Sequence, residues 1–109
     1  MTTVGSAYAQ KLTACPTESE VKVSIEKSGM INYKSYRVTS VGGFQFGAMQ
    51  FGRIYQAELA GILQDTCPVR VAYTYVLGWT DGSRETKQYG NGVTHYFYKD
   101  GFNDWVFKN

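Results

Sequence analysis

Cysteine, proline and histidine are scarce in this chain of 109 residues: two Cys, two Pro and a single His. Two sulfurs and one imidazole fall short of the four ligands a structural zinc site takes, so no metal is expected. Cys15 and Cys67 also lack the C-x-x-C spacing of a redox catalyst. A bond between them would be structural, closing a loop of about fifty residues and stabilising the fold by about 4 kcal/mol in the chain-entropy account. The competing reading is two buried thiols in a reducing compartment. Charge runs are missing too: the net charge is +2, and no two Lys or Arg residues are adjacent. A nucleic-acid partner normally leaves a dense basic stripe, so none is expected. No run of about eighteen apolar residues exists, and nothing in the sequence spans a membrane. Neither a phosphate-cradling G-x-x-x-x-G-K-[ST] loop nor a nucleophile elbow is present, and no cofactor is expected.

What the chain does have is tyrosine (nine) and glycine (twelve), a composition typical of β-rich domains. A chain of this length is one domain. Ala7-Tyr8-Ala9 before Gln10 fits the small-x-small rule of a signal-peptide cleavage site, without the basic and long apolar regions that would precede it. Leu12-Thr13-Ala14-Cys15 is close to a lipobox, but Lys11 interrupts the apolar stretch that such a signal needs. Residues 1–15 therefore read as a flexible N-terminal segment carrying a signal-peptide remnant, and 16–109 as a single α+β domain. An oxidising location, secreted or periplasmic, is the matching expectation for a disulfide.

Thr17-Glu18-Ser19-Glu20 is a capping-box pattern, and Gly29 stands where a helix would end, predicting a helix over 18–28 with Val21, Ile25 and Ser28 on one side. The same stretch alternates Val21, Val23, Ile25 with polar residues, so a strand competes. The matched end signals favour the helix. Residues 36–41 read as a short strand. The segment from Gly42 to Arg53, with four glycines, reads as a bulged strand pair or an ordered loop. Over Ile54 to Gln64 the strand reading leads, because Gly61 would weaken a helix.

The segment from Pro68 to Asn109 holds eight of the fifteen Tyr and Phe residues and both tryptophans. Alternation puts Val69, Val71, Tyr73, Tyr75, Leu77 and Trp79 on one strand face. Asp81-Gly82 and Asp100-Gly101 are two-residue hairpin signals. Read as type I′ turns, they set Trp79 opposite Arg84, Tyr96 opposite Trp105, Tyr98 opposite Asn103, and His95 opposite Val106. Gly90-Asn91-Gly92 breaks or bulges the strand between them.

An N-terminal helix followed by a long meander whose last hairpin reads YFYKDGFNDWVF resembles the cystatin-like and nuclear-transport-factor-2-like superfamily, in particular its small secreted bacterial domains. The resemblance covers Pro16 to Asn109. It implies a helix packed on a curved antiparallel sheet of four to six strands. Members include enzymes, secretion scaffolds and immunity proteins, so it implies little about activity.

Candidate chemistry is thin. His95 with Asp104 could form a general-base pair in a sheet-lined pocket. The aromatic set Tyr73, Tyr75, Trp79, Tyr96, Tyr98 and Trp105 could anchor a protein partner or a second copy of the chain. The leading expectation is a non-catalytic binding or assembly module acting through an aromatic sheet face. A small enzyme using His95 is the alternative, or an inhibitor that inserts the Thr80–Ser83 or Lys99–Phe102 turn into the cleft of an extracellular hydrolase.

Overall fold

The computed structural model describes residues 11–32, 37–59 and 61–109. The signal-remnant expectation at Ala7 to Gln10 lies outside these residues, as does Tyr36. Thr17 opens the helix as a capping box. Its Oγ1 accepts the Glu20 N–H at 3.1 Å, and Glu20 Oε1 accepts the Thr17 N–H at 2.9 Å. The helix, α1, runs Glu18–Asn32 and buries Val21, Ser24 and Ile25 while leaving Val23 in solvent. It continues past Gly29, which is a packing position and not a cap. A Cβ there would lie 2.9 Å from the Phe44 ring.

Five antiparallel strands follow: β1 (Val38–Phe51), β2 (Tyr55–Leu59), β3 (Ile62–Trp79), β4 (Arg84–Lys99) and β5 (Trp105–Lys108). Together they form one sheet in the order β1-β3-β4-β5, with β2 also paired to β3. The architecture is thus the expected α+β one. β1 lies against Val69–Trp79 and β2 against Ile62–Thr66, so the two succeed each other along one edge of β3. The glycine-rich segment is one long strand with three register shifts, and not a strand pair. Between β1 and β2, Gly52 N–H donates to Pro68 O at 2.8 Å, and Pro68 has no amide with which to continue the ladder. Gly61, with φ of +81°, turns Leu59 back onto Ile62, so the 54–64 stretch is two strands and a turn.

The core lies between α1 and one face of the sheet: Val21 and Ile25 meet Cys67, Val69, Val71, Tyr73, Tyr75 and Leu77 of β3 and Phe97 of β4. Cys15 and Cys67 are joined by a disulfide across 52 residues. Leu12 N–H donates to the Asp65 carboxylate at 3.0 Å, so the chain is tied to the sheet already before Pro16.

Both Asp-Gly turns differ from the type I′ expectation. In the first, Gly82 N–H donates to Trp79 O at 3.0 Å, Trp79 N–H donates to Ser83 O at 2.9 Å, and Gly82 sits at φ +87°. The loop is therefore three residues, a type I turn closed by one left-handed residue. In the second, Asn103 takes the left-handed position with φ of 63°, and Asp100 stands outside the loop. The Asp100 carboxylate accepts the Phe102 and Asp104 N–H groups at 2.9 and 3.0 Å. A side-chain turn of this kind is the common alternative use of Asp. The registers slip accordingly: Gly78 faces Arg84, Lys99 faces Trp105, and Tyr96 faces Lys108. Relative to the expected pairs, β4 slips by one position on β3 and β5 by three on β4. Odd slips exchange faces. The expected Tyr96–Trp105, Tyr98–Asn103, His95–Val106 and Trp79–Arg84 oppositions do not form. Trp105 instead lies under the Lys99 ammonium, 4.9 Å from ring centre to Nζ.

Candidate functional site

The face-swapping registers divide the aromatic candidates between two surfaces. Tyr73, Tyr75 and Trp79 lie on the helix side of β3, with Tyr73 and Tyr75 buried. Trp105 and Phe107 join them from β5, packing against the same core. Tyr96 and Tyr98 alternate with buried His95 and Phe97 and therefore point to the other face. The six do not make one patch.

On the helix side, successive rings touch from strand to strand. Phe44 lies 5.2 Å from Tyr75, Phe46 5.7 Å from Tyr73, and Tyr89 5.2 Å from Tyr73. His95 is embedded among them, 4.2 Å from Phe107 between ring centres. The bulge at Gly90–Gly92 sets this geometry. Val71 pairs with Val93, whereas Tyr73 pairs with Tyr89, and Arg70 Nη2 donates to the looped-out Asn91 O at 2.7 Å. Beside the last turns of α1 a cavity of about 180 Å³ remains, walled by Ile25, Phe44, Tyr73, Tyr75, Phe107 and His95 and open at Tyr89 and Asn109.

His95 is 3% exposed. Its Nε2 shares a hydrogen bond with the Tyr73 hydroxyl at 2.9 Å, while Nδ1 has no hydrogen-bond partner among the described residues. Burial holds the imidazole below its ordinary pKa, against a smaller opposite influence of the Asn109 side chain, which nears the ring without closing a bond on Nδ1. Asp104 is elsewhere: it lies in the β4–β5 turn, exposed, 3.9 Å from Lys27 Nζ. The expected His95–Asp104 pair is not formed. The reason is the register again, since a two-residue turn would have brought Asp104 diagonally beside His95, whereas the longer turn leaves it at the tip. Among the described residues no three His, Cys, Asp or Glu side chains gather as a metal site. No helix there is long and apolar enough to cross a membrane.

The opposite face carries small and half-buried side chains. Ala72, Thr74 and Val76 of β3 alternate with the buried residues and are half-buried, like Thr94, Tyr96 and Tyr98 of β4 and Val106 of β5. From β1 come Gly43 and Gly47, whose absent side chains would meet Val76 and Ala72 at 3.4 Å. The tip of the β4–β5 turn presents Phe102, 86% exposed, on a backbone fixed by the Asp100 carboxylate.

Sequence reasoning passed over Tyr89, Phe44 and Phe107 as site residues. The signal for Tyr89 was the Gly-Asn-Gly bulge beside it, but its consequence depends on how many residues loop out. Comparison with family models, with curated proteins and with solved structures returns no match.

Proposed function

We propose that this chain is a non-catalytic binding and assembly module of an oxidising compartment, secreted or periplasmic, that engages a protein partner or a second copy of itself through the sheet face opposite α1. One observation carries the reading: on that face Tyr96, Tyr98 and Val106 stand half-buried at the Pro68 end of the strands, and a strip of Gly43, Gly47, Ala72 and Val76 continues farther along the sheet. Amphipathic tyrosines at one end of the face and small residues along the rest suit close approach of another surface. The disulfide is in keeping with the compartment. The helix on a long antiparallel sheet is in keeping with the cystatin-like resemblance, which belongs to the same proposal. Among the described residues His95 has no carboxylate partner, which favours binding over general-base catalysis.

The test is a Tyr96→Ser/Tyr98→Ser double variant, followed by sedimentation velocity and by partner capture from the native source. Loss of association with the thermal midpoint retained is the expected result; association equal to that of the unmodified chain rejects the reading. A second reading rests on Phe102, whose fully presented ring on a rigid turn suits insertion into the cleft of an extracellular hydrolase. Inhibition of a panel of lysozymes and proteases that disappears with Phe102→Ala would support it, and no inhibition by the unmodified chain would end it.

A further inference from the structure

We propose that the outer edge of β4 between Arg84 and Gln88 is a self-association site. A second copy of this chain adds its own β4 there, antiparallel, about a two-fold axis at Thr86. β4 runs Arg84–Lys99, and β5 pairs with it only from Tyr96 to Lys99. No described strand lies along the rest of that edge. Arg84, Glu85, Thr86 and Gln88 are exposed on it. Such an edge is a template for another strand unless the protein guards it.

Backbone direction is the first argument. Trp79 N–H donates to Ser83 O at 2.9 Å, and no register shift interrupts the pairs from Gly78–Arg84 to Tyr73–Tyr89. In an antiparallel pair, residues that bond the neighbouring strand alternate with residues that do not. Counting from Ser83, Glu85 and Lys87 bond to β3, whereas Arg84, Thr86 and Gln88 turn their N–H and C=O groups outward. A two-fold axis at Thr86 sets that residue opposite Thr86 of the second copy, and Arg84 opposite its Gln88. Every outward group in the segment then meets an outward group, giving about six hydrogen bonds.

Charge is the second argument, and it selects the register. The same alignment places Glu85 opposite Lys87 of the second copy, and Lys87 opposite its Glu85. These are non-hydrogen-bonded positions, where facing side chains come closest. Within one chain Lys87 Nζ already lies 2.9 Å from Glu85 Oε2. The dimer turns that pair into a ring of four charges of alternating sign. Moving the axis by one residue keeps the backbone bonds but sets Glu85 against Glu85, or Lys87 against Lys87. Like charges directly opposite destabilise a sheet. Charges on an edge strand ordinarily repel other strands. Here they repel in the neighbouring registers and attract in one, so they specify a partner. The bulge at Gly90–Gly92 ends the regular edge, so the contact is short and forms at high protein concentration. This edge is distinct from the sheet face opposite α1, and the inference does not rest on that reading.

The test follows amide hydrogen exchange and sedimentation of the full chain from about 10 μM to about 1 mM, the range of weak contacts. The Thr86 and Gln88 amides are expected to gain protection with concentration, while those of Glu85 and Lys87 are protected throughout. Glu85→Lys and Lys87→Glu each turn attraction into repulsion and should weaken association roughly tenfold. The exchanged pair Glu85→Lys/Lys87→Glu should restore it. Thr86→Pro removes an outward N–H and no bond to β3, so it should abolish association with the thermal midpoint retained. Tyr96→Ser/Tyr98→Ser should leave the Thr86 protection unchanged, so the two surfaces are read separately. A chain that stays monomeric at about 1 mM, leaving the edge to a strand of another protein, overturns the proposal. So does Thr86 protection that ignores concentration, or an exchanged pair that does not recover association. The charge series decides the matter even if Thr86→Pro does not fold.

Discussion

The two faces of the sheet are cut from the same strands yet are held in opposite ways. Along β3 the odd-numbered residues from Val69 to Leu77 are each at most 7% exposed, whereas Ala72, Thr74 and Val76 between them are half-buried. One face spends its side chains on α1 and the disulfide; the other leaves a strip of small and half-buried side chains with nothing from α1 against it. A helix of 15 residues is about 22 Å long, while a strand of 18 residues runs about 55 Å, the full length of the molecule. Even on its own side the helix therefore shields only part of the sheet, which is why a cavity persists beside its last turns. Stability should reside on the helix side, and recognition at the places the helix does not reach.

That division is open to a direct comparison of Phe97 with Tyr98, neighbours on β4 that point to opposite faces. Phe97 is fully buried against Phe107, with ring centres 5.2 Å apart. Truncation to Ala is expected to cost about 3–5 kcal/mol, the range for a core Phe. Tyr98→Ala should cost about 1 kcal/mol or less, since half-buried surface positions contribute little. Urea denaturation of both variants measures the difference. Equal losses would mean that the open face is structural after all.

Removing the covalent tie on the helix side ranks next. The Cys15–Cys67 bond spans 52 residues, for which loop-closure entropy gives about 4 kcal/mol. Reduction, or a double Cys→Ser variant, should lower the denaturation midpoint by a corresponding amount, and a free-thiol assay on the unfolded, unreduced protein should count none. A smaller effect is expected at the junction of β1 and β2. A methyl group on Gly52 would come within 2.6 Å of the Pro68 ring, in the stretch adjoining Cys67. Gly52→Ala is therefore expected to cost about 1–3 kcal/mol through overpacking. A neutral outcome would show that the proline can yield and that the break in the edge strand is tolerant.

Much of this fold was legible in the residues because its signals are local. The alternation from Val69 to Trp79 names one structure, and at Thr17–Glu20 the capping box decides for a helix against the alternation of Val21, Val23 and Ile25. The Asp-Gly dipeptides were legible as turns but not as registers. The same two letters close a loop when Gly takes the left-handed position, as at Gly82. They open one when Asn103, two residues later, takes it. One residue of slip decides which face Trp105 and Tyr96 occupy, and no local pattern carries that information. The His95–Asp104 pair failed for the same reason. The cavity was illegible for a further one: it depends on where α1 ends and on a bulge at Gly90–Gly92, both matters of tertiary packing.

The gentlest way to sharpen the contrast between the faces is pH. Burial holds His95 below its ordinary value of 6.5 in the folded state. Above that value the imidazole is neutral in both folded and unfolded chains and contributes no pH dependence. As pH falls through the unfolded value, the unfolded chain takes up a proton that the buried ring refuses. Stability then declines by up to about 1.4 kcal/mol per pH unit until the folded pKa is reached. Glu20 acts in a lower window. Its carboxylate is held below 4.5 chiefly by the Thr17 backbone N–H, so the stability it adds is lost as pH drops through its folded value. Denaturation midpoints between about pH 8 and pH 5 should therefore show the His95 slope. His95→Gln should flatten the slope, whereas Tyr96→Ser, on the face without a titrating group of this kind, should leave it intact. A flat profile in the unmodified chain would mean that His95 reaches solvent in the folded state, and the helix-side face would then be as open as its opposite.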